Sequence, residues 1–593
     1  MNNFNLRKPP MKINLNKLFT KAVKGYKNIE KRKREEMESS VESWQTAEIL
    51  KAALGSMQTG QIKAEKLTIE EAATAEEKRG IPLTEPTRLE KMEEPEMDLT
   101  GLNVIYTLIP SETKTPFAAV NIKWSRAENS LIYYLIEPVL TAQENEILNN
   151  IKTNLVEKLD VDFTKLRKGE ARDYLLKRFE ESINLLAAEL PEEKRKEFLY
   201  FIERDFIGLG KIEPPMRDPQ IEDISCDGIG IPIFIYHRNP TIGSIKSNIV
   251  FNTKEELDIF VNKLAQRCGK NISVAQPLVG GTLPDGSRVQ AMLGTDIARK
   301  GSNFTIRKFT ERPLTPPNLI KLKTLDAKIS AFLWLLIEYG RSILMAGGVA
   351  TGKTTLLNAL SLFIKPELRV VSIEDTAELV LPHPHWVPAI ARLPIVEVSK
   401  KKLGEVDLYD LLKESLRQRP DYLIVGEVRG KETYVLFQQI ATGHSSMSTI
   451  HADSMERLID RLTTPPISLP AALIEALDLI IFIVRIKHGP IYVRRIHNIF
   501  EIIGFDRGKG FPIVNEVFRW NAFNDSYESI NPSMVLKKIS NQYGVTENYL
   551  QSEISRRMKV INWMVDAGIE DYIDVAKIIK LYYLRPEDVL ESI

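Results

Sequence analysis

The chain has 593 residues, with 80 basic against 79 acidic side chains for a net charge of +1, and 2 cysteines. That length is too great for one core, so three or four domains are expected. The charge balance excludes an overall nucleic-acid-binding field, and two cysteines exclude a disulfide framework or a Cys-rich zinc site. Cys226 and Cys268 read as small buried residues in a reducing compartment.

The first ten residues lack the apolar core of a signal peptide. No segment reads as a bilayer span: 329–338 is short, and 471–486 carries Glu475 and Asp478. A soluble, cytoplasmic protein able to sit against the membrane face is expected. Residues 1–100 form a charged extension, partly disordered, with a helix near 28–52. Lys31-Arg32-Lys33-Arg34 is followed at once by Glu35-Glu36 and reads as a solvated mixed-charge face rather than a lipid contact.

Residues 101–206 read as a small α+β domain, with strands at 104–109, 117–122 and 131–136. Thr141-Ala-Gln-Glu144 has the form of a capping box that opens a helix. A second α/β unit is expected at 207–311, carrying two strands within 221–236 and two arginines, Arg288 and Arg307. Arg312-Pro-Leu-Thr-Pro-Pro317 marks a Pro-rich hinge at 312–317.

From 318 to about 487 helices and strands alternate, as a parallel sheet with crossover helices requires. Strands are expected near 343–346, 369–373, 422–426, 446–450 and 479–485, followed by a β appendage to 528. The stretch 529–593 reads as helices, with Leu550, Ile554, Met558, Ile561 and Val565 at helical spacing and Gly568 as a cap.

Between the 343–346 strand and an apolar helix lies Gly347-Gly348-Val349-Ala350-Thr351-Gly352-Lys353-Thr354, which fits G-x-x-x-x-G-K-[ST] at every fixed position. The glycines let the backbone turn tightly and aim its N–H groups at an anion, with the positive end of the helix dipole behind them. Lys353 can reach the β- and γ-phosphates, the Thr354 hydroxyl can coordinate Mg²⁺, and Thr355 follows in the same first turn. The loop predicts ATP with Mg²⁺.

Two further strands end in acids. Ile373-Glu374-Asp375-Thr-Ala-Glu378 and Gly426-Glu427-Val-Arg429 each place a carboxylate where ligands collect in an open α/β sheet. Glu374 and Glu427 read as the water-orienting and Mg²⁺-holding acids. Asp375 and Glu378 read equally well as surface acids. His444 and His451 bracket the 446–450 strand, where neutral imidazole can report on a γ-phosphate. His383-Pro-His385 has no further ligand at metal spacing and reads as loop.

On these boxes, in this order, residues 200–590 resemble the ATPases of type II and type IV secretion, type IV pilus assembly and archaellum assembly. Ile221-Glu-Asp-Ile-Ser-Cys-Asp-Gly228, Leu283-Pro-Asp-Gly-Ser-Arg288 and Phe304-Thr-Ile-Arg307 look like the archaeal branch. The resemblance implies an α/β fold: a RecA-like P-loop core at 318–528, an upstream α+β domain and a helical C-terminal region. It implies ATP hydrolysis, with Lys353 and Thr354 on phosphate and Mg²⁺, Glu374 activating water and Glu427 as the Walker B acid. Arg429 closes that box and counts with the catalytic residues. His444 and His451 would sense nucleotide state, and Arg288 and Arg307 would reach the nucleotide from before the hinge. Members are homohexameric motors that drive a polytopic membrane platform protein and, through it, pilin-like subunits, with no nucleic acid. The loop departs from the common Gly-Pro-Thr-Gly-Ser-Gly, which leaves phosphate binding intact, and the four-cysteine zinc element of many bacterial members is absent.

Two rivals stay open on the sequence. A RecA-like nucleic-acid translocase is disfavoured by the near-zero net charge. An ATP-gated adaptor with little hydrolysis is disfavoured by the presence of both Glu374 and Glu427.

Overall fold

The computed structural model describes residues 99–593, apart from short stretches at 112–115, 159–167, 187–188, 240, 295, 310–311, 393–395, 399–400 and 489–490. The charged extension, its helix near 28–52 and the Lys31–Arg34 run lie outside the described residues.

The N-terminal half is built on one nine-stranded sheet, ordered β1-β2-β3-β6-β5-β4-β9-β8-β7. Its strands are β1 (Asn103–Ile109), β2 (Ala118–Ser125), β3 (Ser130–Ile136), β4 (Ile221–Cys226), β5 (Pro232–His237), β6 (Ser244–Val250), β7 (Leu278–Thr282), β8 (Arg288–Met292) and β9 (Asn303–Arg307). The sheet crosses the 206/207 boundary expected from sequence, because β3 pairs with β6 in parallel at Ile132↔Lys246 and Tyr133↔Ser247. Beyond that short ladder the Asn248 side chain takes over. Its Oδ1 accepts from the Leu135 N–H at 2.8 Å and its Nδ2 donates to the Leu135 carbonyl at 2.9 Å. The fully buried Asp218 adds a second tie, accepting from the Tyr106 and Tyr133 hydroxyls at 2.6 and 2.9 Å. These charge-assisted bonds offset the cost of burying its carboxylate.

Helices α1 (Ala142–Lys158), α2 (Lys168–Leu186) and α3 (Glu192–Phe206) pack on a core of their own around Leu155, Leu175, Phe179, Phe198 and Ile202. The capping box opens α1: the Thr141 N–H donates to the Glu144 carboxylate at 2.7 Å, and the Glu144 N–H to the Thr141 hydroxyl at 3.2 Å. One further helix, α4 (Lys254–Arg267), covers the sheet with Leu257, Val261, Leu264 and Ala265.

The second sheet is ordered β12-β11-β15-β16-β10-β17-β18-β19-β20. It contains β10 (Ile343–Gly347), β11 (Val370–Glu374), β12 (Trp386–Ile390), β15 (Tyr422–Val425), β16 (Ser445–His451), β17 (Leu479–His488), β18 (Ile491–Asp506), β19 (Phe511–Asn521) and β20 (Ser526–Ser529). A separate hairpin joins β13 (Val396–Val398) to β14 (Lys401–Leu403). The strands from β12 to β17 are parallel. Those at its centre, β10, β11 and β15, are buried at every position, which is why they read as unbroken apolar runs. The strands from β18 to β20 continue the sheet antiparallel as the expected appendage.

Helix α5 (Ala327–Glu338) is buried from Ile329 to Ile337, so the 329–338 run is a core helix. Its Trp334 stacks on Phe363, with ring centroids 5.1 Å apart. The Arg557 guanidinium of the C-terminal helix region lies over the same indole at 5.1 Å. Among the described residues no helix is long and apolar enough to cross a membrane.

Of the expected 312–317 hinge, only Arg312–Leu314 connects the halves, because Thr315 is the buried cap of the next helix. Pro316 and Pro317 are buried in the first turn of the helix Pro316–Lys321, where proline lacks only an N–H that would be orphaned anyway. The Thr315 hydroxyl donates to the Glu570 carbonyl at 3.1 Å and Asn318 Nδ2 to the Glu570 carboxylate at 2.9 Å, fixing this start to the C-terminal helices.

Candidate functional site

The phosphate loop joins β10 to helix α6 (Lys353–Ser361). At Gly347 a Cβ would stand 2.4 Å from the Ile483 carbonyl oxygen of β17, so only glycine fits where the strand leaves the sheet. Gly352 has φ +90° and caps α6 without any side-chain acceptor, which leaves the first N–H groups of the helix free for an anion. Ala350, at φ +58°, is the non-glycine residue of the loop in the left-handed region. Thr351 braces the turn through a hydroxyl bond of 3.0 Å to the Gly348 carbonyl, while Val349 is exposed at the crown.

The Lys353 ammonium is buried and donates to the Gly347 and Gly348 carbonyls at 3.1 and 2.7 Å. Burial lowers its pKa, with Glu427 pulling the other way. Thr354 and Thr355 are half-buried, and their hydroxyls have no side-chain bond among the described residues. A cation inside the nest, free helix N–H groups and a free hydroxyl at the first turn fit Mg-ATP.

The parallel sheet brings His451 and both acids to the same edge. Gly347 and His451 are register partners at the ends of β10 and β16. The Lys353 Nζ lies 3.3 Å from His451 Nδ1, and His451 Nε2 lies 3.5 Å from a Glu427 carboxylate oxygen. Burial first, then the Lys353 charge, lowers the His451 pKa and keeps the ring neutral. Glu374 ends β11, is 4% exposed, and accepts from the Glu378 and Leu379 N–H groups at 3.0 and 3.1 Å. Burial pushes its carboxyl up to about 7, against those two N–H bonds. The backbone of Gly426 passes so close that a Cβ there would be 3.1 Å from Glu374 Cγ, so the two acids belong to one wall.

Arg429 is anchored from both sides. Its backbone N–H donates to buried Glu432 at 2.7 Å, and its guanidinium pairs with Asp375. Arg288 reaches from β8 to the Thr376 hydroxyl, two residues past Glu374. Arg307 stays with its own sheet, 3.7 Å from Glu222 and 3.8 Å from Asp223. His444 is not brought to the site. It precedes β16 at the opposite edge of the sheet, where its ring meets the Thr442 hydroxyl at 3.2 Å. The seven-residue strand sets it roughly 20 Å from His451. His383 is loop, as expected, with Nε2 3.0 Å from the Ile364 carbonyl.

Two basic residues at the site were not anticipated. Arg494 of β18 donates from Nε to the Ala350 carbonyl at 3.2 Å and so pins the crown of the loop. Arg461, on helix α8 (Met455–Thr463), donates to the His451 carbonyl at 2.9 Å; α7 (Glu432–Ala441) precedes it and supplies Glu432.

The family model described as "Type II/IV secretion system protein" matches residues 241–488, which include the loop, both acids, both histidines, Arg288 and Arg307. The uncharacterized protein MJ0900 of Methanocaldococcus jannaschii is 35% identical over 479 residues, covering 77% of this chain and 86% of its own. The type IV secretion system protein PtlH of Bordetella pertussis is 31% identical over 280 residues, covering 42% of this chain and 81% of its own. The crystal structure of the VirB11 ATPase of the Brucella suis type IV secretion system covers 48% of this chain and 90% of its own at 24% identity. Its TM-score is 0.25, a value at which the overlay adds no weight to the sequence matches.

Proposed function

Because this chain belongs to the type II/IV secretion system protein family, we propose that it is a homohexameric motor hydrolysing Mg-ATP. It works at the cytoplasmic face of a membrane and drives a polytopic platform protein, so that pilin-like subunits are assembled into a pilus or archaellum-like filament or a protein is exported. The observation that carries this reading is the line from Lys353 through His451 to Glu427 beside the loop, with Glu374 on the same edge.

In this reading the loop N–H groups and Lys353 bind the phosphates, and Glu374 accepts the proton of the attacking water. Its carboxyl, pushed up to about 7, sits in the range where a base both ionises and takes a proton. Magnesium, held by Thr354 and by Glu427 through water, would neutralise phosphate charge. His451 couples the position of Lys353 to that of Glu427, and Arg288 ties the N-terminal sheet to the loop after Glu374. Rotation about Arg312–Leu314 then follows the occupancy of the site.

The test is phosphate release from the purified full chain with Mg-ATP, beside Lys353→Ala, with light scattering for the hexamer and identification of the co-purifying membrane protein. Turnover that Lys353→Ala abolishes is expected. A wild-type chain that binds ATP without turnover would retire the motor.

A further inference from the structure

Arg307 sits in a row of three charged residues that face one another across adjacent strands. Asp223 of β4 is its register partner on one side, and Arg288 of β8 on the other. Two arginines directly opposite repel each other, so the row needs acid nearby. Glu222 and Asp223 supply it, but at 3.7 and 3.8 Å, beyond hydrogen-bond reach.

Buried Arg341 is equally far from Asp478, at 3.7 Å, but it also donates to Gln542 at 2.8 Å, and two other arginine–carboxylate pairs are tighter. Arg204 meets Glu137 at 2.8 and 2.9 Å, and Arg495 meets Asp525 at 2.7 and 3.0 Å, each through two bonds. Among the described residues the Arg307 guanidinium makes no hydrogen bond, and the Asp223 Oδ1 atom is buried with none either. Burial raises the Asp223 pKa while Arg307 opposes it, as a loosely held counter-ion does. Arg238 is the other cation felt by Asp223, but its Nε is bonded to the Ile221 carbonyl at 3.4 Å. Arg288 is already committed to Thr376. Of the charged residues in the row, Arg307 alone combines half exposure with unspent N–H groups.

We propose that Glu222 and Asp223 are positioning residues: the resting counter-ions of Arg307, which hold it by charge alone until a γ-phosphate competes for it. The inference rests on the reading of Arg307 as a nucleotide-reaching arginine. Its consequence is selective. The acids weaken binding of a triphosphate, which Arg307 engages, and leave a diphosphate untouched.

The experiment measures binding of a non-hydrolysable ATP analogue and of ADP to the full chain carrying Glu222→Gln and Asp223→Asn. The analogue should bind on the order of threefold tighter, the size of a half-exposed ion pair, with ADP unchanged. Adding Arg307→Ala should erase the gain. Glu222→Gln alone, which leaves the buried Asp223 Oδ1 untouched, should show a smaller gain with the same selectivity and guards against misfolding of the pair. An equal gain for ADP, a gain that survives Arg307→Ala, or no gain while Arg307→Ala slows hydrolysis would overturn the inference. If Arg307→Ala hydrolyses ATP like the wild type, the arginine reading itself fails and the inference falls with it.

Discussion

Lys353 and His451 share a contact: the ammonium lies 3.3 Å from Nδ1 of a ring whose other nitrogen lies 3.5 Å from Glu427. With Nδ1 accepting from the ammonium, the ring's proton is on Nε2 and points to the carboxylate, so a neutral ring serves both partners. The burial and Lys353 charge that lower the His451 pKa enforce that state.

His451→Ala should therefore slow hydrolysis on the order of 10²-fold, because a small misplacement of Lys353 or Glu427 is costly in the transition state. Nucleotide affinity should change little, since the loop N–H groups remain. Steady-state kinetics beside equilibrium binding separates the two. A large loss of affinity with kcat retained would assign His451 to loop stability.

The loop glycines should differ in stability. Gly347→Ala drives a Cβ to 2.4 Å from the Ile483 carbonyl and 2.8 Å from the Thr351 hydroxyl, whereas at Gly348 the nearest atom is the Thr351 methyl at 3.8 Å. Overpacking against backbone typically costs about 1–3 kcal/mol. Thermal melting should show Gly347→Ala clearly destabilised and Gly348→Ala close to the wild type. Equal Tm values for the two would mean that the strand end is free to shift.

Much of this site was legible because its parts are short and local. The loop fits its pattern residue by residue, and Glu374 and Glu427 follow apolar strands directly. What escaped depends on pairing between distant segments. Trp386–Ile390 contains Pro388, which argues against a central strand; the fold places β12 at the sheet edge, where a missing N–H is tolerated. The joining of β3 to β6 spans more than a hundred residues and leaves no local signature. Arg494 reaches Ala350 only because β18 pairs with β17, which in turn pairs with β10. His444 is the opposite case. Counting the six strand residues between it and His451 would have set the two apart.

Turnover should depend on pH through Glu374. Its carboxyl, pushed up to about 7 by burial, must be ionised to take the water proton, so kcat/KM should fall as pH drops below about 7. Glu374→Gln should lower kcat by about 10²–10⁴ and flatten that acidic limb. The folded form holds this proton more tightly than the unfolded chain, whose ordinary value is 4.5. The group's contribution to stability is therefore greatest below that value and is lost as pH rises through about 7. An unchanged acidic limb in Glu374→Gln would move the base elsewhere.

The two arginines should divide by geometry. Arg288 touches Thr376 within its own chain, which fits action in cis. Arg307, whose guanidinium makes no hydrogen bond among the described residues, is the one able to serve a neighbouring subunit. An arginine delivered to the transition state supplies roughly 10³–10⁵ in rate in P-loop enzymes, so Arg307→Ala should cut turnover far more than binding. Mixing Arg307→Ala protein with Lys353→Ala protein separates cis from trans. If Arg307 acts across a subunit boundary, some mixed interfaces pair an intact loop with an intact arginine, and part of the activity returns. It should return more fully as protein concentration rises and mixed assemblies form. If Arg307 serves its own loop, every subunit carries a lesion and the mixture stays inactive. Silence despite verified co-assembly would confine Arg307 to its own chain, beside Arg288.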